Sequence, residues 1–248
     1  MPEWMRERFW GPSGNGLLNN LIAYWPGNEV AGNALDLHTN ALHLTDVNTV
    51  TSNPGWPGAY ANSRQFTAAQ NEYETRPGDD PELSTGDVDF TLAAVCRFDN
   101  TADRAIAGKY DAAGQREYLL FSSAAANRIR FIVSNNGVAT SFVDADVLGV
   151  PAINTWYLVI GWHDSVANTI NIQINNGGVD SIPYALGVFD STAPFQIGRY
   201  TAGAYMDGRI GQTPFWKSAP GMGGVKTPAE RTALWNGGVP LQYTELTL

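Results

Sequence analysis

The stretch from Phe90 to Phe98 sets the terms for the whole chain. Phe90, Leu92, Ala94, Cys96 and Phe98 alternate with Thr91, Ala93, Val95 and Arg97, the period of two that sends successive side chains to opposite faces of a β-strand. Comparable short runs follow from Arg104 to Tyr110, Glu117 to Phe121, Ile129 to Val133, Val138 to Val143, Thr155 to Trp162, Thr169 to Ile174 and Phe195 to Gly198. Turn residues separate them: Asp111-Ala112-Ala113-Gly114, Asn135-Asn136-Gly137 and Asn175-Asn176-Gly177-Gly178. Asn-Gly between alternating runs predicts a tight hairpin, because both central residues tolerate positive φ. Upstream, Leu21 to Trp25 reads as a strand ended by Pro26, and Ala41 to Thr45 and Ser63 to Thr67 read as two more. About a dozen short strands without a βαβ rhythm specify an all-β fold, a two-sheet antiparallel β-sandwich.

The last quarter closes that sandwich. Tyr205 to Trp216 reads as a final strand whose Phe215 and Trp216 belong to the core. Thr227 then stands as an N-cap with Pro228 at the first helical position and Glu230 at the third, a capping box. Gly237 and Gly238 end this short C-terminal helix. Residues 20–248 form one domain, with no linker inside it.

Residues 1–19 read as an N-terminal arm. Met1, Trp4, Met5 and Phe9 recur at helical spacing, with Trp10 just beyond and a Gly/Pro-rich break after it. Two uses are open for these aromatics: packing on their own domain, or docking on a neighbouring subunit.

Composition excludes several functions. A net charge of −9 with no run of three basic residues argues against nucleic acid. Cys96 is the one cysteine, so no intrachain disulfide forms, and its apolar run marks it as a buried thiol. No apolar stretch approaches the ~20 residues of a membrane span, so membrane insertion is not expected. The N-terminus lacks the basic and apolar regions of a signal peptide, which leaves another route of export or a signal already removed. Only 16% of residues are charged, so the surface is largely uncharged and polar, as in proteins outside the cytoplasm or in dense assemblies.

Sugar sites use aromatic platforms with a few polar groups. Trp56 and Tyr60 in a Pro/Gly-rich loop, and Tyr110, Trp162 and Tyr200 near strand ends, are the glycan-binding candidates. Sandwich cores use such residues routinely, so each has a competing role as packing. Hydrolysis finds little support. The acid pairs Asp87-x-Asp89 and Asp144-x-Asp146 sit at strand edges or in loops, and His38, His43 and His163 have no Ser/His/Asp setting.

An ordered set of segments resembles the laminin-G-like, concanavalin-A-like lectin/glucanase jelly rolls. It runs through Trp25…Glu29…Gly32…Asp36, Asp89-Phe90-Thr91-Leu92, Ile106-Ala107-Gly108-Lys109, Thr155-Trp156-Tyr157 and Ile172 to Gly177. Pro194 to Gly198, Asp207-Gly208-Arg209-Ile210 and Pro228 to Gly238 complete it, so that the match extends from about residue 20 to 243. The resemblance implies a jelly roll and a class that includes glycan-binding modules, adhesion domains, some hydrolases and virion surface proteins. Its hydrolases carry Glu-x-Asp-x-(x)-Glu on one strand, and no such run exists here. Its members often hold a structural calcium, which would fall to Glu29, Asp36 and Asp207. However, Gly211 stands where the family's last-strand Asp would be.

The expectation is therefore a non-catalytic structural or interaction protein without catalytic residues or an assured cofactor. It is placed on a virion or extracellular surface, as a phage capsid decoration or tail-fibre type of component, with other subunits as partners. The alternative is a glycan-binding module of a bacterial extracellular protein that contacts surface glycans. A glycoside hydrolase ranks third.

Overall fold

The computed structural model of the chain describes residues 16–200 and 203–246. Its strands are β1 (Leu21–Trp25), β2 (Thr45–Val47), β3 (Thr51–Pro54), β4 (Asn62–Phe66), β5 (Tyr73–Arg76), β6 (Asp89–Phe98), β7 (Arg104–Asp111) and β8 (Gln115–Ser123). They continue with β9 (Arg128–Gly137), β10 (Thr140–Asp144), β11 (Trp156–Asp164), β12 (Thr169–Ile174), β13 (Val179–Pro183), β14 (Phe195–Ile197), β15 (Gly208–Ile210) and β16 (Thr213–Ser218). One α-helix, α1 (Pro228–Trp235), follows them. A nine-stranded sheet runs β13-β12-β11-β6-β15-β4-β3, with β16 also on β6 and β1 on β16. A seven-stranded sheet runs β10-β9-β8-β7-β14-β5-β2. All pairings are antiparallel.

β6 is the spine. One edge pairs with β11 along most of its length, while the other takes β16 beside Asp89 to Leu92 and β15 beside Cys96 to Phe98. Its two alternating sets of side chains enter two different cores. Leu92, Ala94 and Cys96 face the core between the sheets. Ala93 and Val95 enter a second core on the sheet's outer face, with Leu17, Tyr24, Leu158, Ile160, Trp162, Trp216, Leu234 and Leu246. Phe215 and its neighbour Trp216 divide in the same way.

The inter-sheet core is aromatic at its centre. Trp25 stacks on Phe195 at 4.8 Å and Tyr118 on Phe215 at 5.5 Å. The polar ends of these rings are satisfied: Trp25 Nε1 donates to the Leu42 carbonyl and Tyr118 Oη to the Leu83 carbonyl, each at 2.7 Å. Phe131 lies across β11 at Gly161, where a Cβ would come within 2.7 Å of its ring. Gly161→Ala should therefore overpack the core and cost about 1–3 kcal/mol, read as a lower urea midpoint with an unchanged slope.

The second core is closed by the end of the chain. The α1 capping box forms as expected, with Glu230 N donating to Thr227 Oγ1 at 3.3 Å and Thr227 N to Glu230 Oε2 at 2.7 Å. Arg231 lays its guanidinium 4.3 Å above the Trp162 ring. Trp216 Nε1 donates to the Leu17 carbonyl at 2.7 Å. Because Leu17 is wholly buried, the domain's packing already includes residue 17 rather than starting at 20. Residues 1–15, with the arm aromatics Met1, Trp4, Met5, Phe9 and Trp10, lie outside the described residues.

Two local expectations are corrected. At Asn136-Gly137 only Gly137 has positive φ, and it still belongs to β9, paired with Arg116. The chain turns one step later, where Asn136 Oδ1 accepts the N–H groups of Val138 and Ala139, so an Asx turn replaces the two-residue hairpin. After α1 the left-handed step comes one residue early, at Asn236, and continues through Gly237.

A buried charge ties the first loops to the sandwich. Arg64, 1% exposed, donates from Nε to Glu74 at 2.6 Å and reaches the Glu29 and Gly32 carbonyls. Burial pushes the Glu74 carboxyl up to about 7, against the pull of Arg64. A carboxyl raised in the folded state holds its proton more tightly there, so its contribution is complete below the ordinary carboxylate range. That contribution falls away as the pH rises through about 7. Arg64→Met would strand Glu74 and should cost about 3–5 kcal/mol near pH 8. The loss should be smaller near pH 5, where Glu74 takes up a proton; denaturant melts at the two pH values check this.

Candidate functional site

The two sheets differ in what covers their outer faces. Helix α1 and the residues after it pack on the nine-stranded sheet, together with Trp56, Trp156 and Trp235. On the seven-stranded sheet Ala105, Leu119 and Ile132 face outward, sheltered by the half-buried side chains of Tyr110, Phe121 and Tyr200. Tyr110 meets Tyr200 edge-on at 5.2 Å, and Phe121 meets Tyr200 at 6.2 Å. Burial raises the Tyr110 phenol, which keeps it a neutral hydroxyl at working pH.

Arginines flank these rings. Arg116 lies 5.8 Å from the Tyr110 ring centre, Arg199 4.0 Å from Tyr73 and 5.5 Å from Tyr205, and Arg130 4.0 Å from Phe142. Phe142 is 44% exposed. An open sheet face of rings and guanidinium planes is what the ring C–H faces and hydroxyls of a sugar can use together.

The strand end that presents Tyr110 and Arg116 is held from inside. Tyr110 pairs with Arg116 across a register shift, and their chain neighbours Lys109 and Glu117 turn inward. Both are fully buried and 3.3 Å apart. Lys109 Nζ also donates to Asp79 at 2.7 Å, Ser84 Oγ at 2.6 Å and the Ser191 carbonyl at 2.8 Å. Glu117 accepts from the backbone and hydroxyl of both Thr85 and Ser191. Burial raises the Glu117 carboxyl, while the Lys109 hydrogen bond lowers that of Asp79. With all these atoms engaged, the cluster is an anchor rather than a reactive centre.

The sequence candidates thus separate. Tyr110 and Tyr200 come together on the open face, with Phe121, Arg116 and Arg199, which the alternation pattern did not single out. Trp162 is a correction: it is 5% exposed beneath Arg231 and offers no face to a sugar. Trp56 stacks at 6.1 Å on Trp156 and edge-on at 5.6 Å to Trp235, so packing takes both its neighbours' rings. Tyr60 lines a separate cleft of about 170 Å³ with Tyr24, Pro26, Leu37, Gln242 and Tyr243. Its Oη is buried without a partner, and burial drives its phenol far up. Removing an unsatisfied buried hydroxyl relieves its desolvation cost, so Tyr60→Phe should stabilise the fold by up to about 1–3 kcal/mol, read as a higher melting midpoint. A lowered midpoint would show that the hydroxyl is partnered.

The carboxylates named as calcium candidates each take part in hydrogen bonds within the fold. Asp36 accepts three backbone N–H groups, from Tyr24, His38 and Leu42. Glu29 accepts from the Leu35 N–H at Oε1, while its Oε2 is buried without a partner among the described residues. Asp207 accepts from Asn100 and from the Ala68 N–H. Among the described residues no three His, Cys, Asp or Glu side chains gather as a metal site would need. In the acid pairs three of the four members are engaged, and Asp87 stands exposed with His163 Nε2 4.0 Å away. Arg130 clasps Asp144 and Arg128 holds Asp146, while Asp89 accepts from Ser165 and the Gly221 N–H. None of these is a free carboxylate pair for glycoside hydrolysis. Cys96 is buried, and burial raises its thiol.

Known proteins agree with the architecture. Residues 67–222 match the concanavalin A-like lectin/glucanases superfamily. No curated protein matches in sequence. The fold is similar to that of the binding domain of Paraclostridial mosquitocidal protein 1, at a TM-score of 0.67 and 13% identity, over 89% of this chain and 53% of that one. A structure of botulinum neurotoxin type C, whose cell entry depends on two ganglioside molecules, gives 0.62 and 13% over 91% and 52%. Domain 4 of a GH43 extracellular arabinanase from Geobacillus stearothermophilus, in complex with arabinotriose, gives 0.57 and 12% over 86% and 97%. The chain thus spans about half the length of the toxin chains and nearly all of the arabinanase domain. Among the described residues no helix is long and apolar enough to cross a membrane. The chain belongs to the concanavalin A-like lectin/glucanase superfamily.

Proposed function

We propose that this protein is a non-catalytic, lectin-like module that binds a saccharide on the outer face of its seven-stranded sheet. The observation that carries the reading is the contrast between the faces. One is sealed by the end of the chain, and the other presents Tyr110, Tyr200 and Phe121, flanked by arginines. Fold-level likeness to a domain that holds arabinotriose and to a toxin that interacts with gangliosides supports it. Likeness to the binding domain of the mosquitocidal protein and the hydrogen bonds and ion pairs that engage Asp89, Asp144 and Asp146 support the absence of catalysis. With it we propose an extracellular setting, a virion surface included. Docking on neighbouring subunits would then fall to the arm residues Met1, Trp4, Met5, Phe9 and Trp10.

A glycan array tests this directly. The protein should retain a defined set of glycans. Tyr110→Ala and Tyr200→Ala should each weaken binding about tenfold or more, the loss expected for removing one stacking contact of about 1–2 kcal/mol. Tyr243→Phe, remote from this face, should bind as the parent does. A blank array from folded protein would overturn the reading.

A further inference from the structure

We infer that the saccharide bound on this face is acidic, and that Arg116 and Arg199 recognise its anionic group. This rests on the glycan reading above and narrows it to a ligand class.

Arg130 shows how this sheet face treats a carboxylate. Its Nε and Nη2 donate to the two oxygens of Asp144 at 2.8 and 3.1 Å while its plane covers Phe142. That is the side-on, two-point clasp for which a guanidinium is built. Arg116 and Arg199 repeat the arrangement without the acid. Each lies over a tyrosine ring. Each donates from Nη1 to a neutral oxygen, Arg116 to the Val138 carbonyl and Arg199 to Tyr205 Oη at 3.3 Å. Neither is ion-paired among the described residues, and the buried Nε–H of each has no acceptor.

An unmet charged donor is a local cost in the free protein, and a net charge of −9 leaves no shortage of carboxylates elsewhere on the chain. Arg64, Arg76, Arg97, Arg104, Arg128 and Arg130 all have one. Of the three stacked arginines that lack one, Arg231 is buried over Trp162, donating to Gln173 and the Lys226 carbonyl, and the other two belong to the open aromatic face. Arg116 stands over Tyr110, and Arg199 is the chain neighbour of Tyr200, which packs against Tyr110. A sugar lying on the two tyrosines has the Arg116 guanidinium beside it, and one that extends toward Tyr73 and Tyr205 reaches Arg199; a carboxylate or sulfate would take the terminal Nη2 of either, the buried Nε being out of a ligand's reach.

The test is titration calorimetry with sialyllactose, a galacturonate trimer, sulfolactose and lactose at low and high salt. At least one acidic probe should bind about tenfold or more tighter than lactose, the worth of one charge-assisted clasp, and weaken with salt. Preference among the acidic probes separates carboxylate from sulfate, and either supports the inference. Arg116→Lys and Arg199→Lys keep the charge and lose the clasp. They should remove most of the acidic preference while leaving the melting midpoint and any lactose binding unchanged. Equal binding of lactose and the acidic probes, or lysine variants that keep the full preference, overturns the inference and leaves the glycan reading standing. Failure of every probe, together with a blank glycan array, overturns both.

Discussion

Two-sided burial of the nine-stranded sheet is the constraint on which the rest of the structure depends. A sandwich normally needs only its inner faces apolar, yet β6, β11 and β16 carry apolar side chains on both faces. The outer set must therefore be covered, and the chain supplies its own cover after residue 225. Helix α1 is only eight residues long and too short to be stable alone. Its capping box, the Arg231–Trp162 stack and Leu234 make it stable in place. Once that cover is spent on one sheet, the other sheet's outer face is left for solvent or for a ligand.

Charge is distributed to match. Buried ion pairs stand where loops must be fixed to the sheets: Arg64–Glu74 beneath the opening loops, and Lys109–Glu117 where β7 and β8 lose register. The second matters most for function, because the same register shift that turns Lys109 and Glu117 inward sets Tyr110 and Arg116 outward as a pair. An anchor that is fully hydrogen-bonded on the inside gives a fixed platform on the outside. A fixed platform lowers the ordering cost of binding.

Much of the fold was legible in the sequence for a physical reason. Strand alternation, the N-cap at Thr227 and the run of turn residues are local signals, and the local geometry they encode survived tertiary packing. The hairpin at Asn136-Gly137 did not, because the pairing of Gly137 with Arg116 on β8 extended β9 past the expected turn. The site was less legible. Five aromatics met the same criterion, yet Trp162 went under a helix, Trp56 into a tryptophan cluster and Tyr60 into a cleft wall. Only the contact of strands distant in sequence put Tyr110 beside Tyr200. Arg116 and Arg199 carried no signal at all, since an arginine's lack of an acid partner is a property of space, not of sequence.

By itself, then, the sequence determined an antiparallel sandwich of a known superfamily, a chain with little means for nucleic acid, disulfide or thiol chemistry, and a capped helix at its end. These follow from period, composition and cap residues, each readable within a few positions. Tertiary structure alone decided which sheet the helix covers, which aromatics remain in reach of a ligand, and which carboxylates are already engaged. Those outcomes depend on residues such as Arg231 and Trp162, or Asp36 and Leu42, meeting across the fold. Burial and pairing are set there, after local propensity has already been satisfied.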